Sequence, residues 1–271
     1  MKKNIRISII SKLNYIKLIY RSILGISVLT YYILTRTGVL PPFDFTNPLG
    51  LIVLGIITLL FVGEMIERFI PSKTSSMGSQ KQFAHNYRPS GEDKSKLQPW
   101  KGTFFVLISW IALNAIIGAL YFLNVIDLGI IVIISLAFSV CDLICILFFC
   151  PFQTWMMHNR CCTTCRIYNW DFAMMFTPLI FIIVVPYGEN GFLPNPFAIV
   201  LVATSLALVI KWEIIYRRHP ERYSDQTNLS LRCENCKEKL CEHKKQLQKL
   251  IAKSRKLLQK RLLENKKKET K

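Results

Sequence analysis

Acidic residues are scarce in this sequence, which has 17 Asp and Glu against 35 Lys and Arg and a formal net charge of +18. In a soluble protein, so large a positive charge would suggest a nucleic-acid partner. Long stretches of the chain nevertheless lack charge, and 51% of its residues are hydrophobic. Apolar blocks of about 20 residues match the roughly 30 Å hydrocarbon core of a bilayer. The positive charge therefore indicates membrane topology and contact with anionic lipid rather than with nucleic acid.

The sequence also lacks the short motifs that mark several common enzyme classes. It contains no nucleophile elbow, P-loop, dinucleotide-binding fingerprint or HExxH motif. None of its four histidines lies in an apolar block, which argues against a membrane haem held by paired histidines. Whether the chain is an enzyme stays open on the sequence alone.

Six apolar blocks predict an all-α, polytopic membrane helix bundle with six spans. Each block is expected to be helical, because lipid offers no hydrogen-bond partner to an open backbone amide. The fifth block is short, and Pro178 interrupts it. The blocks cover roughly residues 18–34, 49–66, 103–126, 128–150, 172–187 and 197–216.

The chain divides into three parts on this interpretation. Residues 1–17 form a basic N-terminal tail, and residues 18–216 form the membrane domain. Residues 217–271 form a cysteine-rich tail that ends in a basic amphipathic helix. Within the membrane domain, loops are expected at about 71–101 and 151–171. The first of these loops is rich in Ser, Gly, Pro, Gln and Lys, so we expect it to be poorly ordered.

Lysine and arginine are distributed unevenly between the blocks. Six lie in residues 1–21, seven in 68–101, two in 158–171 and nineteen from residue 211 onwards. The remaining connections hold only Arg36, so 34 of the 35 cations lie on one side of a six-span path. Because excess Lys and Arg mark the cytoplasmic side, both termini are predicted to be cytoplasmic.

The basic helix of the C-terminal tail has three expected roles. It is predicted to lie on anionic lipid headgroups, to pair with a copy of itself or to bind a cytoplasmic protein. Its apolar stripe is too irregular to predict a coiled coil.

The nine cysteines lie on or near the predicted cytoplasmic side, where stable disulfides do not persist. Two Cys-x-x-Cys pairs, Cys162 with Cys165 and Cys233 with Cys236, have the spacing at which two thiolates bind one ion. We therefore predict a zinc site made of these four residues, which ties the tail to the loop before block five.

Several alternatives for the cysteines stay open. Cys241 and His243 could join the tail cysteines in a local zinc site, and Cys161 could serve a second site. An iron–sulfur cluster could replace zinc, since eight of the nine cysteines would satisfy two four-iron clusters. The thiols could also stay free of metal and do redox chemistry, which the adjacent pair Cys161 and Cys162 favours.

The fourth block carries polar residues on one helical face, at Ser135, Ser139, Asp142 and Cys145. An intramembrane carboxylate costs about 2.5–3.5 kcal/mol to insert, and it usually faces a bundle interior or a cavity. Asp142 is therefore predicted to bind a cation, relay a proton or join Cys145 at a metal. The alternative is an interhelical hydrogen bond from a protonated Asp142 to Asn114.

Four segments, CPFQTWMM, NRCCTTCRIYNWD, RRHPERY and CENCKEKLC, resemble uncharacterised multi-spanning bacterial membrane proteins with a cysteine-rich cytoplasmic tail. The resemblance covers blocks four to six and the tail. It implies a location in the bacterial cytoplasmic membrane, and it implies no substrate and no catalytic residues.

Three classes of function are compatible with these patterns. The first is a metal-stabilised membrane scaffold or sensor whose cysteines hold a cytoplasmic platform together. The second is a membrane redox protein that uses Cys161, Cys162 and Cys165 as thiols or cluster ligands. The third is a small transporter with Asp142 in its pathway.

Overall fold

The computed structural model describes residues 9–41, 48–71, 78–91, 100–159, 161, 164–187 and 191–236. The described chain is mostly helical, and five of its helices are long and apolar enough to cross a membrane. These helices indicate a membrane-embedded, multi-pass protein. They are α1 (Ile9–Arg36), α2 (Pro48–Ile66), α3 (Trp100–Phe122), α4 (Leu128–Leu147) and, after a shorter helix α5 (Asp171–Phe176), α6 (Pro196–Arg218).

The fifth apolar block does not form one long α-helix. A 3₁₀-helix at Arg166–Trp170 leads into α5, and a second 3₁₀-helix follows at Thr177–Ile182. Pro178 lies in the first turn of this second 3₁₀-helix, a position where its missing N–H breaks few bonds. We call residues 166–182 the broken segment.

The end of the fifth block is a strand rather than a helix. Strand β1 (Val184–Tyr187) pairs with β2 (Gly191–Pro194) in an antiparallel two-stranded sheet. The expectation that the whole of block 172–187 is helical is therefore wrong for these last residues. Pairing between the two strands satisfies backbone groups that a helix would otherwise satisfy internally.

The contacts between helices fix their directions, beginning with α1. Tyr32, near the end of α1, donates its hydroxyl hydrogen to Asp127 at the start of α4, over 3.0 Å. Arg21, in the first half of α1, instead contacts Glu64 near the end of α2, at 2.6 Å. Both α2 and α4 therefore run antiparallel to α1.

The broken segment runs antiparallel to α6. Arg166 at its start pairs with Glu213 in the last turns of α6, at 2.6 Å. Just beyond its end, the carbonyl oxygen of Ile183 accepts from the backbone N–H of Asn195, the N-cap of α6, at 2.7 Å. Helix α6 is in turn parallel to α2, because Lys211 of α6 reaches the backbone carbonyl of Phe69, just after α2.

The loop between α2 and α3 contacts the segment that follows α6 at one end of the bundle. Helices α1 and α3 begin at this end, and α2, α4 and α6 end there, and we call it the platform end. Residues 78–91 and 219–236 form this platform. Pro89 and Asn228 pair in an isolated antiparallel β-bridge. The Leu229 N–H donates to the Arg88 carbonyl oxygen at 2.8 Å, and the Ser90 N–H donates to the Thr227 carbonyl oxygen at 3.1 Å.

The expectation of a poorly ordered loop is wrong for residues 78–91, because their backbone is paired with a distant part of the chain. Asn228, which is fully buried, donates from its side-chain amide to the Lys81 carbonyl oxygen at 3.1 Å. Ser230 donates to the Asn86 carbonyl oxygen at 2.7 Å. The predicted basic helix of the tail falls in residues 237–271, which lie outside the described residues.

Candidate functional site

The most unusual feature of the bundle is a buried arginine. Arg21 of α1 is 1% exposed, and its Nη2 lies 2.6 Å from Glu64 Oε2 of α2. Its Nη1 donates to the carbonyl oxygen of Ser139 of α4 at 3.0 Å. A buried charge is tolerated only where it is paired and hydrogen-bonded, so this guanidinium links three helices.

Glu64 is the central carboxylate of this cluster. Besides Arg21, it pairs with Lys17 at 3.3 Å and accepts a hydrogen bond from the Tyr20 hydroxyl. Three donors from one face of α1 therefore converge on one carboxylate of α2. The Tyr20 and Arg21 partners lie more than 40 residues away from Glu64 in sequence.

Asp142, the predicted intramembrane site residue, lies at the edge of the same cluster. Its Oδ2 is 4.0 Å from Arg21 Nη1, and its side chain is 18% exposed. Asn114, the hydrogen-bond partner that the sequence suggested for Asp142, donates instead to the Trp110 carbonyl oxygen at 2.9 Å. Arg21 is therefore the ion-pair partner of Asp142 among the described residues.

The polar stripe of α4 faces the bundle interior, in agreement with its helical spacing. Ser135 and Ser139 are both buried, and Cys145, one turn beyond Asp142, is half-buried. The Ser139 hydroxyl donates to the Leu136 carbonyl oxygen at 2.7 Å, within its own helix. The stripe therefore provides a polar lining rather than a completed ligand shell around Asp142.

A second ion pair lies nearer the platform. Arg68, just after α2, pairs with Asp171 at the start of α5, at 2.5 Å. Its guanidinium also stacks over the Phe172 and Tyr168 rings, with 4.7 and 5.4 Å to the ring centroids. Burial alone would lower the pKa of Arg68, but the Asp171 carboxylate raises it above its usual value. The guanidinium therefore stays charged.

A third ion pair anchors the start of the broken segment. Arg166 pairs with Glu213 of α6 at 2.6 Å, and the Trp170 indole N–H donates to the same carboxylate at 3.1 Å. The Arg166 guanidinium lies between the Trp100 and Tyr216 rings, 4.5 Å from each centroid. Glu213 therefore neutralises a buried arginine.

Lys211 of α6 also binds within the protein. Its Nζ donates to the Phe69 carbonyl oxygen at 2.6 Å, and it lies over the Phe83 ring, 4.8 Å from the centroid. The Gln80 side-chain amide donates to the Ile70 carbonyl oxygen at 3.0 Å and to the Glu67 carbonyl oxygen. These donors satisfy carbonyl groups that the end of a helix leaves unpaired, and they fix the platform to the bundle.

The cysteines of the predicted metal site are spread over the platform end. Cys165 is 4% exposed and packs beside Val106 and Ile167. Cys233 is exposed, and the Cys236 thiol lies 3.6 Å from the Lys81 ammonium group.

Among the residues that the structure describes, no three His, Cys, Asp or Glu side chains form a group that could hold a metal ion. The described members Cys165, Cys233 and Cys236 therefore do not converge as the four-cysteine site requires. Cys161 is half-buried, while Cys162, Cys241 and His243 lie outside the described residues. The zinc and iron–sulfur sites stay predictions.

Comparison with known proteins finds no family model, no curated protein and no solved structure that matches this chain.

Proposed function

We propose that this protein is a six-span membrane scaffold or sensor that presents a folded, cysteine-bearing platform to the cytoplasm. The platform itself is the observation that carries this proposal. Its two parts contain Arg88 and Asn228, which lie 140 residues apart in sequence yet are in contact. A protein can cross a bilayer without any contact between residues 78–91 and 219–236. Such a contact helps a protein to present a surface to a partner, because a preformed surface loses less entropy on binding.

The direction of the helices supports six crossings. Helices α2 and α6 are parallel, so an odd number of crossings separates α2 from α6, and the broken segment must supply one beside α3 and α4. Its two 3₁₀-helices hold 5 and 6 residues and α5 holds 6. With rises of about 2.0 and 1.5 Å per residue, they extend about 31 Å, which matches the hydrocarbon core.

The cation distribution supports the orientation. On this six-span path, the platform end carries 34 of the 35 lysines and arginines, and it is therefore the cytoplasmic end. Arg36, which is the exception, lies at the opposite end and pairs with Asp127 at 2.5 Å.

Zinc at Cys162, Cys165, Cys233 and Cys236 remains part of the proposal, with an iron–sulfur cluster at the same residues as the alternative. The residue type and the Cys-x-x-Cys spacing support this zinc site. Cys233 and Cys236 also lie in the platform, and Cys165 lies at the platform end. The described thiols do not form the ligand shell, so the fold of the platform carries the proposal and the metal does not.

Limited digestion with trypsin tests the proposal. Lys81 is buried, and its carbonyl oxygen accepts from the Asn228 side-chain amide at 3.1 Å, so we expect trypsin to spare the Lys81–Gln82 bond in the native protein. Asn228→Ala removes the side chain that joins the two parts, and cleavage after Lys81 should then become fast. Rapid cleavage in the native protein would show that the platform is not held together, and the scaffold proposal would fail.

The metal is tested separately on protein purified anaerobically without a chelator. We expect about one zinc per chain, and we expect Cys165→Ser to reduce this content while Cys141→Ser does not. Cys141 is a suitable control because it is exposed on α4 and is not among the predicted ligands. Protein that contains neither zinc nor iron, with the Lys81–Gln82 bond still protected from trypsin, would contradict the metal and leave the scaffold proposal standing.

A small transporter with Asp142 in its pathway is the second candidate. Its support is the unequal pairing in the buried cluster. Glu64 has three donors, whereas Asp142 has Arg21 at 4.0 Å. A carboxylate with so loose a partner retains acceptor sites for a proton or a cation, and intramembrane carboxylates commonly line such pathways.

Reconstitution into vesicles that contain a pH-sensitive dye tests the second candidate. An imposed proton gradient should collapse faster with the protein than without it, and Asp142→Asn should abolish the difference. Ser135→Ala is the matched control, because it removes a polar group from the same stripe. Equal rates in empty vesicles and in vesicles with the native protein would contradict a proton pathway.

A further inference from the structure

A shallow groove of about 580 Å³ lies at the platform end of α3, lined by Trp100, Lys101, Phe104 and Phe105. The three aromatic side chains are 49%, 45% and 62% exposed. Thr103, on the opposite side of the same turns, is fully buried. The groove is therefore on the outward side of α3, away from the packed interior of the bundle.

The aromatic wall of the groove is held from behind. The Arg166 guanidinium lies 4.5 Å from the centroid of the Trp100 ring, and Glu213 in turn pairs with Arg166 at 2.6 Å. Trp100 is thus fixed by a buried ion pair although about half of its surface is free. A ring fixed in this way forms a surface that loses little side-chain entropy when a ligand covers it.

The backbone of α3 is fixed just as closely at this point. A Cβ atom added to Gly102 would lie 2.7 Å from the carbonyl oxygen of Met156, so α3 packs directly against the turn of π-helix at Phe152–Met156. The groove therefore lies on a closely packed stretch of the α3 backbone.

Lys101 supplies a cation that no carboxylate of the described residues neutralises. It is exposed, and no carboxylate in the described part of the chain lies within ion-pair distance of it. By contrast, Arg21, Arg68 and Arg166 each pair with a carboxylate at 2.5–2.6 Å. An unpaired ammonium group beside an apolar groove is complementary to a ligand with one negative charge and long apolar chains.

We propose that this groove binds an anionic phospholipid, with its phosphate on Lys101 and an acyl chain along Phe104 and Phe105. Trp100 is the first residue of α3, so in a bilayer it would lie near the boundary between the headgroups and the hydrocarbon core, which tryptophan prefers. The lysine stem follows the apolar surface while its ammonium group reaches the phosphate. The proposal goes beyond the scaffold function and requires only that α3 lies in a bilayer.

Native mass spectrometry of delipidated protein in detergent tests this site, with phosphatidylglycerol and phosphatidylcholine of the same chain length as probes. We expect one tight phosphatidylglycerol site, and we expect Lys101→Gln to weaken that site about fivefold, the effect of one cation at a membrane surface. Affinity for phosphatidylcholine should not change. Phe105→Asn keeps the charge but removes the apolar wall, so it should weaken both lipids.

Two controls make the result decisive. Lys12 is an exposed cation near the start of α1, away from the groove, so Lys12→Gln should leave the tight site unchanged. Soluble glycerol phosphate should not displace the lipid, because it offers no acyl chain to the aromatic wall. An equal loss in Lys12→Gln, no preference for phosphatidylglycerol, or an unchanged affinity in Lys101→Gln would each overturn the proposal.

Discussion

Glu64 Oε2 of α2 lies 2.6 Å from Nη2 of Arg21 of α1, at a place where only 2% of the arginine side chain is exposed. Removing both charges from water carries a large desolvation cost, which the pair offsets only through good geometry and further hydrogen bonds. The Ser139 carbonyl oxygen and Lys17 supply further interactions of this kind. This ion pair therefore fixes α1, whose surface is otherwise largely exposed, against its neighbours.

Neutralising either partner should destabilise the bundle strongly. Arg21→Gln leaves Glu64 with less compensation, and Glu64→Gln leaves a buried guanidinium whose remaining carboxylate partner is Asp142 at 4.0 Å. We expect each change to lower the free energy of unfolding by about 3–5 kcal/mol, measured by denaturation in detergent micelles. The double variant Arg21→Met, Glu64→Leu should recover part of this loss, because it removes both members of the ion pair and leaves neither charge buried without the other.

The pair at the opposite end of α1 is the matched control. Arg36 and Asp127 pair at 2.5 Å, but their side chains are 64% and 39% exposed. Water screens such a pair, so Arg36→Gln should have a much smaller effect than Arg21→Gln. Equal effects of the two arginine substitutions would contradict the buried position of Arg21.

The contact between α3 and the broken segment is tested at a glycine. A Cβ atom on Gly118 would lie 2.6 Å from the Phe181 ring, whereas a Cβ atom on Gly25 would meet nothing within 4 Å. Gly118→Ala should therefore destabilise the protein by about 1–3 kcal/mol, as overpacked substitutions do. Gly25→Ala should be neutral or stabilising, since alanine favours the helix.

A second-site change separates this clash from any general effect of alanine. Phe181→Leu removes the ring that the new methyl group would strike. Combined with Gly118→Ala, it should cost less than the two single changes added together, as measured by thermal unfolding in detergent. Additive losses would indicate that Gly118 and Phe181 are not in contact.

The platform should open locally when Asn228 is shortened. The Asn228 side chain donates to the carbonyl oxygens of Lys81 and Arg222 and accepts from the Ser230 N–H. Asn228→Ala leaves buried carbonyl groups unsatisfied, which costs about 1–3 kcal/mol for each group. We expect faster hydrogen exchange in residues 78–91, measured by mass spectrometry, with unchanged exchange in α4.

Asn235 provides the control for this change. It donates to the Leu229 carbonyl oxygen at 2.9 Å, but it is exposed, so water can replace the lost bond. Asn235→Ala should therefore leave exchange in residues 78–91 near its native rate. If the two asparagine variants exchange alike, the platform does not depend on the buried Asn228.

The hydropathy of the sequence predicted much of the bundle. Uncharged blocks near 20 residues long can satisfy their backbone in lipid only as helices, and five of the six blocks form such helices. The period of the polar residues in block four also placed Ser135 and Ser139 on an inward face, where both are buried. These features depend on local composition and spacing, which a single sequence contains.

The sequence did not predict how the fifth block departs from a regular helix. Its hydropathy is that of a short span, but hydropathy does not distinguish 3₁₀-helix from α-helix or detect a strand at the end of the block. The prolines at 178 and 186 were the available signals. They mark places where a helix loses a backbone donor, and they do not specify the hairpin that follows.

The long-range polar contacts were also beyond sequence reasoning. In the sequence, Arg21 is one more cation of the basic N-terminal flank, and its position at 1% exposure depends on where α2 and α4 pack. Likewise, nothing in the polar composition of residues 78–91 indicates that Gln82 bonds to Asn169 at 3.1 Å or that Asn228 reaches Lys81. Such partners are set by the tertiary fold, which residue periodicity does not encode.

Labelling of single cysteines from outside intact cells tests the six-span path most directly. In a cysteine-free background, we would place one cysteine at position 44, 85, 190 or 225, and we would use labelling after permeabilisation as the control for total protein. Positions 85 and 225 are exposed residues of the platform. The six-span path predicts that an impermeant maleimide reaches positions 44 and 190 and does not reach positions 85 and 225. If position 44 is labelled but position 190 is protected, the broken segment does not cross the membrane, and the six-span path is wrong.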